Sequence, residues 1–113
     1  MDETSVYRIE ISYHRPKDIL IIHLLPKRPA RLGGGEHDFW IRYDWDDPAK
    51  VVGFEVWDFS LMIPQIYNPE IVPGISMKFS MSDQMAPTYT LQEVLEWAYL
   101  TFVLRQEREA LVA

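Results

Sequence analysis

The sequence predicts an α+β fold: a small antiparallel sheet, arranged as a four-stranded meander, covered by one C-terminal helix at about residues 90–110. Three observations predict it. Short apolar-alternating segments crowd the first sixty residues, prolines interrupt the chain between 61 and 89, and a helix-capping box opens an amphipathic stretch at Thr90. With 113 residues, 48% of them hydrophobic and 13% aromatic, the chain has the length of a single domain with its own core.

Residues 6–13 set Tyr7, Ile9, Ile11 and Tyr13 against Val6, Arg8, Glu10 and Ser12, the period of a half-buried strand. His14–Asp18 is a turn, in which Pro16 pushes Arg15 toward extended geometry. Ile19–Leu25 is apolar on both faces except at His23, which marks a central strand that Pro26 ends. Gly33-Gly34-Gly35 reads as a flexible connector. Beyond it, Phe39, Ile41 and Tyr43 alternate with Trp40, Arg42 and Asp44, Asp46-Asp47-Pro48 turns the chain, and Val51–Asp58 is the fourth strand. A meander of these four segments unites Tyr7, Ile9, Ile11, Leu20, Ile22, Leu24, Phe39, Ile41, Phe54 and Val56 in one layer. Residues 61–89 form a connection, with a fifth strand expected near 75–81, where Ile75, Met77, Phe79 and Met81 alternate with polar residues. In Thr90-Leu91-Gln92-Glu93 the Thr90 hydroxyl and the Glu93 carboxylate serve each other's amides. Leu91, Val94, Leu95, Ala98 and Phe102 then follow at helical spacing, and Trp97, Leu100 and Leu104 widen the apolar surface beyond one stripe.

Composition excludes more than it assigns. Without cysteine the chain has no disulfide, thiolate zinc site or cysteine nucleophile. Met1–Ser5 is acidic and polar rather than signal-like, and no stretch reaches membrane-spanning length, so the expected location is the cytoplasm with no membrane partner. The net charge of −6 argues against a nucleic-acid partner. Lys27, Arg28 and Arg31 are the one basic cluster, too few for a phosphate footprint and expected to form a solvated loop.

Ile11-Ser12-Tyr13, Asp18-Ile19-Leu20-Ile21-Ile22-His23-Leu24 and Val51-Val52-Gly53-Phe54-Glu55-Val56-Trp57-Asp58-Phe59-Ser60 together resemble domain of unknown function family 2283. The resemblance covers residues 6–60 and implies a small sheet module of bacterial or archaeal type with no established activity and no catalytic residues to carry over. His14 and Ile21 depart from the family's pattern, and the extension from 61 onward has no counterpart in it.

No constellation of residues has the spacing of a known site. Asp44-Trp45-Asp46-Asp47 with Glu55 echoes a calcium loop, but Pro48 and Ala49 occupy its turn and Glu55 lies in a strand, so no metal or cofactor is expected. His37-Asp38, with His14 and His23 approaching across the sheet, is the candidate for a small-ligand or metal-dependent enzyme. The stronger feature is aromatic. Trp40 and Trp57 fall opposite the core layer together with Ile21 and His23, and Trp97 adds to the excess apolar surface on the helix. These five residues are the candidate interaction face. Residues 61–89 can bury it, a second subunit can pair with it, or it can line a small pocket. The expected function is a non-enzymatic interaction or assembly module, a homo-oligomer (dimer) or the partner of another protein, in one form neutralising a basic partner as an antitoxin does.

Overall fold

The structure, a computed structural model, describes residues 5–105. It is an α+β fold with a six-stranded mixed sheet and two helices. The strands are β1 (Val6–His14), β2 (Ile19–Leu24), β3 (Ala30–Gly34), β4 (Phe39–Asp44), β5 (Val51–Val56) and β6 (Lys78–Ser80). A short helix, α1 (Phe59–Met62), follows β5, and α2 (Leu91–Ala98) continues into a π-helical turn over Tyr99–Leu104. The order across the sheet is β3-β4-β5-β2-β1-β6, antiparallel except where β6 lies parallel to β1.

Three expectations are corrected here. The four strands read from alternation exist, but they are not a meander: β2 pairs with β5 rather than β4, with Ile22 opposite Phe54. Alternation fixes which side chains share a face and says nothing about which strand lies beside which. The glycine segment is not a loose connector either, because Ala30–Gly34 is an edge strand paired with β4. Its glycines make room for aromatic rings: a Cβ at Gly33 would stand 2.6 Å from the Tyr43 ring, and one at Gly35 would collide with the indole of Trp40. The expected fifth strand is present but only three residues long, and its parallel pairing with β1 makes the sheet mixed.

The basic cluster is exposed, as expected of a solvated loop, but its side chains are paired rather than free. The β2–β3 connection crosses the ends of β5 and β4, and Arg28 anchors it there, its Nε donating to Asp44 Oδ2 at 3.0 Å and its Nη2 to Asp46 Oδ2 at 2.9 Å. The guanidinium, together with the Asp46 amide, holds the Asp44 carboxyl below the usual range for its type. Lys27 pairs with Glu10 at 2.8 Å, and Arg31 lies 3.9 Å over the Trp45 ring. Each cation of the cluster is thus engaged within the chain.

One face of the sheet carries the core. Ile9, Leu20, Ile22, Leu24, Phe39, Phe54 and Val56 are buried, with Tyr7, Ile11 and Ile41 packed against them, which is the layer the alternation predicts. Leu91, Val94, Leu95 and Ala98 of α2 seal it, and the capping box forms as expected: the Glu93 amide donates to Thr90 Oγ1 at 3.1 Å and the Thr90 amide to Glu93 Oε1 at 2.9 Å. Phe59, Met62, Ile66 and Val72 of the 61–89 region and its approach join the same cluster. The helical stripe changes register after Ala98. An α-helix would bury Phe102 four residues on, whereas the π turn buries Val103 five residues on and leaves Phe102 half-buried, stacked on Tyr13. The expected helix beyond Arg105, residues 106–110, lies outside the described residues.

Asp18 ties the two ends of the predicted sheet module together. Held at φ 54°, it accepts from Tyr13 Oη at 2.6 Å, from Ser60 Oγ at 2.6 Å and from the Ser60 amide at 3.0 Å, while its carbonyl accepts from the Phe59 amide at 3.0 Å. These contacts fix the entry of α1 against the β1–β2 turn. Tyr13, Asp18 and Ser60, one from each of the three segments quoted for the family resemblance, therefore meet in a single hydrogen-bonded cluster.

Candidate interaction face

The reverse face of the sheet is built by two adjacent rows of the strand register. One row places Ser12, Ile21, Glu55 and Trp40 side by side across β1, β2, β5 and β4. The next places Glu10, His23, Gly53 and Arg42 side by side. Because Gly53 has no side chain, the Arg42 stem lies across it, 3.2 Å from where a Cβ would stand. A Cβ there would also collide with the Ile22 carbonyl oxygen. The absent side chain thus opens a channel along which Arg42 reaches Glu55, its Nη1 donating to Glu55 Oε1 at 2.9 Å.

Glu55 joins the charged and the aromatic parts of the face. Only 8% exposed, it accepts from Arg42 with one oxygen and from Trp57 Nε1 at 2.6 Å with the other. That bond orients the Trp57 indole, which meets the Trp40 ring at a centroid distance of 4.8 Å and an interplanar angle of 41°. Trp40 is wedged between Trp57 and Gly35, and Trp57 remains 37% exposed. Trp40 Nε1 and Arg42 Nε are buried without a hydrogen-bond partner. Beside this pair, His23 is held below the ordinary imidazole value, chiefly by burial and then by the Arg42 and Lys27 charges, with Glu10 and Glu55 opposing the shift.

Sequence reasoning grouped Trp40, Trp57, His23, Ile21 and Trp97. The structure brings the first four onto one sheet face and sets Trp97 apart. Trp97 belongs to the helix layer on the opposite side, packed edge-on against Phe102 at 5.7 Å. What the sequence missed is the Glu55–Arg42 bridge, although Gly53, flanked by apolar strand residues, was a visible sign of a close approach.

The histidines do not converge. His14 ends β1 and His37 sits in the β3–β4 turn at the outer flank of β4, so three strand spacings, about 14 Å, separate them across the sheet. Both are exposed. Asp38, at φ 63°, uses its backbone structurally, its carbonyl accepting from the Trp57 amide at 2.9 Å. His37 and Asp38 do line an open hollow of about 350 Å³ with Trp57, Leu61 and Ile71. Among the described residues, no group of three His, Asp or Glu side chains is placed to hold a metal ion. No helix of the described residues is long and apolar enough to cross a membrane.

No family model, no curated protein and no solved structure matches this chain.

Proposed function

We propose that this protein is a non-enzymatic interaction module that docks onto another protein through the reverse face of its sheet. The observation that supports the reading is the contrast between the two faces. The core face is sealed by α2 and by the apolar residues of the 61–89 region, whereas the Trp40–Trp57 pair lies opposite, in contact with solvent. A tryptophan pair pre-oriented by a buried carboxylate offers a partner large apolar area at little cost in side-chain entropy. The rim supplies both signs of charge through Glu10, Lys27 and Arg8. Shape and aromatic contact therefore select the partner more than net charge does.

The test is the size of the complex in an extract of cells that naturally make the protein. Wild-type chain is expected to elute well above its own mass, and a Trp40→Ser/Trp57→Ser chain at the mass of the purified protein. Wild-type protein eluting in the extract as it does when pure overturns the reading.

A further inference from the structure

The two edges of the sheet are finished differently. β6 is three residues long, and its outer side is occupied by Tyr89, which exchanges backbone bonds with Phe79 at 2.8 and 2.7 Å. The edge at β3 is open. Its ladder with β4 is bracketed by two bonds, Trp45 N to Pro29 O at 2.9 Å and Gly35 N to Phe39 O at 3.0 Å. Hydrogen-bonded pairs alternate along an antiparallel ladder, so the bonded pairs between these brackets are Arg31–Tyr43 and Gly33–Ile41. The N–H and C=O groups of Ala30, Leu32 and Gly34 therefore point away from β4, and no hydrogen bond to them is made among the described residues. Within Ala30–Gly34 there is no lysine, no proline and no bulge, Arg31 is the one charge on this five-residue edge, and Leu32 is 39% exposed.

We infer that β3 pairs antiparallel with β3 of a second copy of this chain, centred on Leu32. The edge is self-complementary in one register. With Leu32 opposite Leu32 of the second copy, all three outward-facing residues find partners, since Ala30 then falls opposite Gly34 at both ends. The central pair exchanges two backbone bonds, and Ala30 extends the ladder on each side. Arg31 falls opposite Gly33, where its guanidinium meets no like charge. A slip of one pair toward the N-terminus sets Arg31 against Arg31, which is repulsive, and a slip the other way sets Gly33 against Gly33 and loses the Ala30 pairing. The chosen register makes a continuous twelve-stranded sheet with a two-fold axis normal to it. Both Trp40–Trp57 pairs then look out from the same side. Leu32 lies opposite Arg42 and borders the aromatic face, but the contact inferred here is made by the backbone groups of the edge, so this inference does not depend on the docking reading.

Sedimentation of the purified full chain over a micromolar concentration series tests it, with circular dichroism to confirm folding of each variant. Wild type is expected to dimerise, and Leu32→Lys, which opposes two ammonium groups at the axis, to weaken the dimer about tenfold or more. Trp57→Ser leaves it unchanged. Because the chain has no cysteine, Leu32→Cys reports the register directly. Facing residues in a hydrogen-bonded pair stand about 5.5 Å apart at Cα, within disulfide range, whereas two copies of Ala30→Cys stand about 14 Å apart. Mild oxidation should cross-link the former readily and the latter poorly. A monomer at every concentration overturns the inference. So does a dimer that survives Leu32→Lys and yields to Trp57→Ser, or equal cross-linking at positions 30 and 32.

Discussion

Glu55→Ala is the substitution that most directly probes how the aromatic face is held. In the native chain the Glu55 side chain is 10% exposed and that of Arg42 is 18%, and their 2.9 Å bond lies beside a strand with no side chain at Gly53. Removing the carboxylate leaves the guanidinium, already lacking a partner for its Nε, without its counter-charge in a site that water reaches poorly. Breaking a fully buried pair in this way costs about 3–5 kcal/mol, and the residual exposure of Arg42 brings the expectation to about 3 kcal/mol. Trp57 Nε1 also loses its acceptor, but at 37% exposure the indole recovers water, so that part is small. For a domain of this size the loss corresponds to a fall of about 10–20 °C in Tm. Urea unfolding followed by circular dichroism measures it, with Arg42→Ala and the double variant completing a cycle. The double variant should cost less than the sum of the two singles, by about 2 kcal/mol. Additive effects, or a loss under about 0.5 kcal/mol for Glu55→Ala, would refute the bridge as the support of the face.

Two further perturbations test other parts of the structure. His23 has a folded-state value depressed below its ordinary 6.5, so its contribution to stability is fully present above that value and is lost as pH falls through the depressed one. Urea midpoints should therefore decline as the solution is acidified from about pH 6.5, before the carboxylates titrate, and His23→Gln should flatten that part of the profile; an unchanged slope contradicts the burial assigned to the ring. Asp18→Ala removes the shared acceptor of Tyr13 and Ser60 and forces alanine to φ 54°, for an expected loss of about 2–4 kcal/mol, while Asp18→Asn, which tolerates that conformation and keeps an acceptor, should lose about half as much. A loss under about 0.5 kcal/mol for Asp18→Ala by thermal denaturation would show that the carboxyl group does not tie the β1–β2 turn to α1.

The parts of this fold that were legible in the sequence are those governed by local period. Alternation at residues 6–13, 39–44 and 51–58 and the two-faced apolar run at 19–25 marked the strands and their inner layer, and Thr90 with Glu93 marked the start of α2. Strand order was not legible. Nothing in the side chains of β2 distinguishes β4 from β5 as its neighbour, because both present an aromatic or β-branched residue at each inward position. β3 was hidden because Ala30-Arg31-Leu32-Gly33-Gly34 has too few side chains to show a period, and its partners, the rings of Tyr43 and Trp40, lie across the hairpin. The switch from Phe102 to Val103 was hidden for a different reason. A π turn leaves no mark in a stripe that is apolar at both positions. The aromatic face was half legible: Trp40, Trp57, Ile21 and His23 share a parity, but the ion pair that organises them depends on the β4–β5 register, and Trp97 belongs to another layer altogether.

The central claim, that the open face of the sheet is where a partner sits, can be tested with a photo-cross-linking residue placed in turn at Trp57, at Ile21 and at Trp97 in cells that naturally make the protein. Trp57 and Ile21 share the reverse face, whereas Trp97 is comparably exposed in the helix layer on the other side. The account predicts one discrete protein adduct common to positions 57 and 21 and absent at 97. Adducts confined to position 97, or equal at all three, would contradict it.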